Sequence, residues 1–254
     1  MTDGRSAGRS KRDNWKQEAT YNPLDKKNLG DSVADALLGK AVQLLPPAEN
    51  FFGSGIYALY YSGDFPPYKR MSDCNSQGRW VWPIYIGRAE PRGSRKGGSV
   101  PEDMSEAVAE GILREDRAAS SDRLMERLRK HSKTIAEVEN LNVEHFRCRY
   151  LCVDDIWIPL GEALILRQFR PLWNTILDGF GNKTPGSGRT GQKLSSWDTV
   201  HPGRSFVKKL NLPSGKHALE VLLSKTEQHL SIVPSRVKSL LGTFVEKLPD
   251  DFPQ

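Results

Sequence analysis

Apolar residues gather in two short unbroken runs. The first is Gly55-Ile56-Tyr57-Ala58-Leu59-Tyr60-Tyr61, and the second is Trp80-Val81-Trp82-Pro83-Ile84-Tyr85-Ile86-Gly87. Branched and aromatic side chains dominate both. A polar stretch with Gly and Pro lies between them, which is the pattern of two paired β-strands with a long connection. That connection, Ser62 to Arg79, reads as loop or hairpin. A third strand is predicted over Phe146–Val153, where apolar and charged residues alternate.

Elsewhere the apolar period lengthens to about 3.6 residues, the period of a helix. Val33, Leu37, Leu38, Val42 and Leu45 predict a helix capped by Asp31 or Ser32 and stopped by Pro46-Pro47. Leu124, Leu128 and Ile135 predict another over Arg123–Val138, capped from Ser120, Ser121 or Asp122. Arg127 and His131 share one face of it. Pro159 suits the start of a helix over Leu160–Phe169, with Glu162 in its first turn and Pro171 after its end. Glu102–Arg117 also reads as helix, weakened by Gly111. Gly179–Gly191 is dense in glycine and reads as loop. His217–Leu230 and Ser235–Leu248 are amphipathic and split by Pro234, a pattern that fits an oligomer interface and intrachain packing equally.

Composition narrows the class. The 254 residues suit one substantial domain with additions, or two small ones. No apolar run approaches the ~20 residues of a membrane span. Met1–Lys16 is polar and basic without an apolar centre, so it does not read as a secretory signal. Residues 1–22 read as a disordered basic tail. The cysteines, Cys74, Cys148 and Cys152, are too few for a disulfide framework and point to a reducing compartment. Cys148 and Cys152 fall on one face of the third strand and read as core thiols.

Charge adds a candidate partner. The formal net charge is +6, and Asn182–Lys216 alone holds seven basic residues against Asp198. A second cluster, Arg88, Arg92, Arg95 and Lys96 against Glu90, follows the second strand. Clustered charge of this kind is a footprint for a phosphate backbone, or a solvated loop.

The order of parts is more specific than any one of them. A Gly-Ile-Tyr strand, a Tyr-Ile-Gly strand, a helix with Arg127-x-x-x-His131, a third strand, a helix with Glu162 and then Pro171-Leu172-Trp173-Asn174 together resemble the GIY-YIG nuclease family. The likeness is greatest to its type II restriction endonuclease branch with SacII-like (CCGCGG) specificity. Asn22–Leu29, Ser196-Trp197-Asp198 and His201-Pro202-Gly203-Arg204 extend it. The gap between the two tripeptides is longer than is usual in the family. Its Phe65–Arg70 insertion reads as a DNA-contacting hairpin or a solvated loop.

The resemblance implies an α+β fold (α/β mixed), a small central antiparallel sheet flanked by helices, with N- and C-terminal helical additions. It implies a nuclease domain with recognition loops over 23–212 and a C-terminal extension over 213–254. It implies cleavage of double-stranded DNA in the bacterial cytoplasm by a homodimer or homotetramer, because the protein two-fold matches a palindrome. Mg²⁺ is the implied cofactor and Glu162 its ligand. A single carboxylate with phosphate oxygens and waters suits that ion, although a Glu at a helix start also gains from the dipole. Arg127 would bind the scissile phosphate, or be a surface arginine. Tyr57 would orient or deprotonate the attacking water. An unperturbed phenol, pKa about 10, needs a partner such as His131, pKa about 6.5, to lose its proton. Packing alone would also account for Tyr57 and His131. Tyr85 would hold water or phosphate, and Asn174 would organise the site near Glu162 or cap a turn.

Arg88, Arg92, Arg95, Lys96, Arg189, Lys193, Asp198, His201 and Arg204 are the candidate DNA contacts. A G/C-rich target calls for Arg or Lys on guanine and carboxylates on cytosine. A homing or repair nuclease of the same family, and a non-catalytic DNA-binding protein on the same fold, are the alternatives. A cleavage assay separates the latter from an enzyme.

Overall fold

The computed structural model describes residues 22, 24–91, 121–182 and 193–245. A four-stranded antiparallel sheet lies at its centre, comprising β1 (Gln43–Leu44), β2 (Gly55–Tyr61), β3 (Pro83–Ala89) and β4 (Phe146–Cys152), in the order β1-β4-β2-β3. The α+β architecture expected from the sequence is therefore present. Strand β2 lies between two partners and beneath helices, and all seven of its residues are buried. That explains its unbroken apolar run.

Helix α3 (Arg123–Ala136) packs on the face that bears Tyr57, Leu59 and Tyr61. Helices α1 (Lys26–Leu38) and α4 (Ile158–Phe169) cover the Ile56 face. Helix α1 differs from expectation at both ends. Asp25 caps it by accepting from the Lys27 amide, and Gly39 closes it. The apolar residues beyond continue the helical period in sequence, yet Gln43 and Leu44 pair with Cys148 and Arg147 as an edge strand.

The insertion between the tripeptides is neither hairpin nor solvated loop. It forms a 3-10 turn, Pro66–Tyr68, and helix α2, Lys69–Asn75, with Tyr68 and Met71 fully buried. In β4 the expected alternation breaks at Arg149. It is buried, donates to the carbonyls of Lys40 and Trp80 at 3.0 and 2.6 Å, and lies 5.1 Å over the Tyr60 ring. Cys148 is buried but Cys152, the last residue of the strand, is exposed, so only the former is a core thiol.

After α4 come α5 (Leu172–Thr175), α6 (Ser196–Val200), α7 (Ser205–Leu210), α8 (Leu219–Ser231) and α9 (Ser235–Val245). Leu222, Leu230 and Val237 from the last two belong to the same apolar cluster as the sheet. Leu219, Val221, Ile232 and Phe244 of the same tail stay exposed, so only part of its apolar surface packs within the chain. The predicted helix over Glu102–Arg117 lies outside the described residues. Among the described residues no helix is long and apolar enough to cross a membrane.

Candidate active site

Strand register puts the two motif tyrosines side by side. Tyr57 pairs with Gly87 and Leu59 with Tyr85, so the two phenols are diagonal neighbours on one face, ring centroids 6.2 Å apart. The register also explains both motif glycines. A Cβ on Gly87 would lie 2.6 Å from Tyr57 Cζ and 2.9 Å from Tyr85 Cε1, so only glycine lets the Tyr57 ring lie across β3. Gly55 has φ +152°, and a Cβ there would meet the Leu151 carbonyl of β4. Gly87→Ala is expected to displace the Tyr57 ring and cost about 1–3 kcal/mol, the range for overpacking a close-packed site. Urea denaturation reads this directly.

Helix α3 brings His131 to Tyr57. The Tyr57 hydroxyl and His131 Nε2 are 2.6 Å apart in a buried contact between residues distant in sequence. Burial, with Arg127 beside it on the helix, pushes the imidazole down to about 3. Burial and then Tyr85 push the Tyr57 phenol well up, and Arg127 pulls it back in part. Both partners are therefore neutral near pH 7. Burial likewise raises the Tyr85 phenol, followed by Glu162. Arg127 is half-buried, and its charge reaches Tyr57, Tyr85 and His131.

A second buried histidine, His201, is also pushed down to about 3 by burial. Both histidines lie below their unfolded value near 6.5. As pH falls from there toward 3, the unfolded chain takes up protons that the folded chain refuses. Stability present at neutral pH is thus lost across that window. Urea midpoints between pH 7 and pH 5 should drop accordingly, and His201→Gln should flatten the slope.

Glu162 faces the same centre from α4. Its side chain is 17% exposed, and Arg88 Nη1 lies 2.7 Å from Oε2, while Arg88 Nε reaches Glu90 Oε1 at 2.9 Å. Burial outweighs Arg88 and holds the carboxyl above its ordinary value. The helix begins at Ile158, earlier than expected, so Glu162 falls beyond its first turn. A favourable place on the helix dipole therefore does not explain it. Among the described residues no group of three or more His, Cys, Asp or Glu could hold an ion alone. A half-buried carboxylate balanced by one guanidinium still fits Mg²⁺, which binds through one or two carboxylates, substrate phosphates and retained waters.

Asn174 acts on the backbone. Its carboxamide accepts from the Ile86 amide and donates to the Ile86 carbonyl, both at 2.8 Å. It takes the place of a neighbouring strand on the open edge of β3 and fixes the segment that carries Tyr85.

Sequence reasoning passed over Phe180, which lies in the stretch read as glycine-rich loop. Its ring stacks on His131, centroids 4.6 Å apart at 20°, and meets Tyr85 edge-on at 5.0 Å. The only signal in sequence was an aromatic residue close behind Pro171-Leu172-Trp173-Asn174.

The expected DNA contacts divide. Arg92, Arg95, Lys96 and Arg189 lie outside the described residues. Lys193 is exposed, and Arg88 is exposed but engaged by Glu162 and Glu90. Asp198, His201 and Arg204 are instead enclosed by the chain. They are 4%, 0% and 2% exposed; Arg204 donates to Asp198, and His201 bonds Asn140 and Tyr68.

A family model described as the Eco29kI GIY-YIG domain matches residues 49–230. No curated protein matches the chain.

Proposed function

The chain belongs to the Eco29kI GIY-YIG domain family, and from that premise we propose that it is a Mg²⁺-dependent type II restriction endonuclease. Its substrate is double-stranded DNA with a G/C-rich palindrome, CCGCGG favoured, and it acts as a homodimer or homotetramer. The observation that carries the reading is the 2.6 Å contact between Tyr57 and His131 at a centre that Glu162 and Arg127 also reach.

Glu162 would hold the cation. When bound, the cation supplies Lewis-acid polarisation of the scissile phosphate and neutralises charge on it. Arg127 offers a guanidinium to the same phosphate, where negative charge builds in the transition state. Tyr57 receives a proton from the attacking water while its own passes to His131 Nε2. That relay needs neutral His131 with its proton on Nδ1, and burial keeps the imidazole neutral. Tyr85 orients water or a phosphate oxygen, and Asn174 holds the Tyr85 strand in place. The basic residues Arg88, Arg92, Arg95, Lys96, Arg189 and Lys193 remain candidates for the DNA backbone and bases.

Digestion of plasmid DNA with Mg²⁺, followed by run-off sequencing, tests the reading. Discrete fragments ending at CCGCGG are expected. Intact plasmid, or a smear without defined ends, would contradict it.

A further inference from the structure

We infer that Arg204 and Asp198 are positioning residues for the catalytic centre: they lock the 178–182 turn so that Phe180 seals His131. The inference rests on the nuclease reading for His131's role. It gives a different purpose to the Ser196-Trp197-Asp198 and His201–Arg204 motifs than base recognition.

The guanidinium of Arg204 is fully used. Nε lies 2.5 Å and Nη2 2.6 Å from the two Asp198 carboxylate oxygens. The remaining donors go to three carbonyls of one turn, with Nη2 on Gly179 at 3.0 Å and Nη1 on Phe180 at 3.3 Å and Asn182 at 3.2 Å. All five N–H donors of the fork have acceptors. Ser195 Oγ adds a bond to Asp198 at 2.6 Å, and the Trp197 amide holds the Asp178 carbonyl at 2.9 Å. A buried ion pair is a poor device for stability alone, since apolar replacements often serve as well. A planar fork that reads three carbonyls of one turn is suited to fixing its shape.

That turn carries Phe180 onto His131 and Tyr85. The other half of the motif grips the turn that follows the helix bearing His131. His201 Nδ1 lies 2.8 Å from Asn140 Oδ1, Asn140 donates to the Val200 carbonyl at 2.9 Å, and the Glu139 amide donates to Pro202 at 3.1 Å. One segment thus holds both the helix that bears His131 and the ring that covers it.

The titratable groups facing His131 are Tyr57 and Tyr85 from the sheet and Arg127 from its own helix. Phe180 contributes no charge and excludes water. Without it, the imidazole would hydrate and its proton affinity would return toward the ordinary value. Protonated His131 cannot accept from Tyr57.

The test uses the full chain with Phe180→Leu and Arg204→Lys. DNA affinity with Ca²⁺, the pH profile of single-turnover cleavage with Mg²⁺, and the NMR titration of His131 are compared with wild type. Cleavage is expected to fall by up to about 10²-fold, the loss that follows a slight misplacement of catalytic groups, with DNA affinity unchanged. The acidic limb should move toward neutral pH, and His131 should begin to titrate closer to about 6.5. A folded Phe180→Leu protein with wild-type His131 titration and pH profile would overturn the inference. So would an Arg204→Lys protein that loses DNA affinity at full cleavage rate. If wild type itself does not cut, the nuclease reading fails, while the His131 titration still decides whether Phe180 seals it.

Discussion

Glu162→Gln is expected to lower DNA cleavage by about 10³-fold or more, the order of loss for a group that stabilises transition-state charge, while DNA binding persists. The substitution keeps the size of the side chain and removes the charge. Glu162 is the carboxylate at the Tyr57 centre, and its electrostatic influence raises both Tyr57 and Tyr85. Arg88 would lose one partner and keep Glu90. The candidate basic contacts away from this carboxylate would still hold the DNA. Single-turnover cleavage and a gel-shift titration on one duplex read the two effects separately. Cleavage by Glu162→Gln at the wild-type rate would remove the metal assignment.

Tyr57→Phe ranks second. It removes one oxygen and leaves the ring packed over Gly87. His131 Nε2 then loses its 2.6 Å partner in a buried setting. An unsatisfied buried polar group costs about 1–3 kcal/mol. The proton path from water to the imidazole is broken, for an expected loss of about 10²–10⁴-fold in rate. Thermal unfolding and cleavage should both register the change. A variant that is destabilised yet cuts normally would show that the hydroxyl serves packing alone.

Much of this centre was legible in sequence because its parts keep their order along the chain. Branched and aromatic runs announce β2 and β3, and the four-residue spacing of Arg127 and His131 places both on one helix face. The misreadings have definite causes. Val42 and Leu45 continue the helical period of α1, but Gly39 ends the helix and β4 recruits Gln43 and Leu44. Period cannot reveal a partner strand a hundred residues away. Asp198 and Arg204 read in sequence as candidate DNA contacts, since a formal charge count cannot tell a buried ion pair from a solvated one. Phe180 sits among glycines, where no apolar period exists to mark it. Its place against His131 is set by Arg204, through carbonyls that carry no sequence signal.

In the proposed mechanism Tyr57, His131, Arg127 and Glu162 act on one phosphate. A crystal structure of the protein with uncleaved CCGCGG duplex and Ca²⁺ in place of Mg²⁺ tests it most directly. The expected result is a cation about 2.3–2.6 Å from a Glu162 oxygen, Arg127 on the scissile phosphate, and a water between the Tyr57 hydroxyl and phosphorus. A phosphate bound away from Glu162, or a Tyr57 hydroxyl shut off from it by the apolar core, would contradict the mechanism.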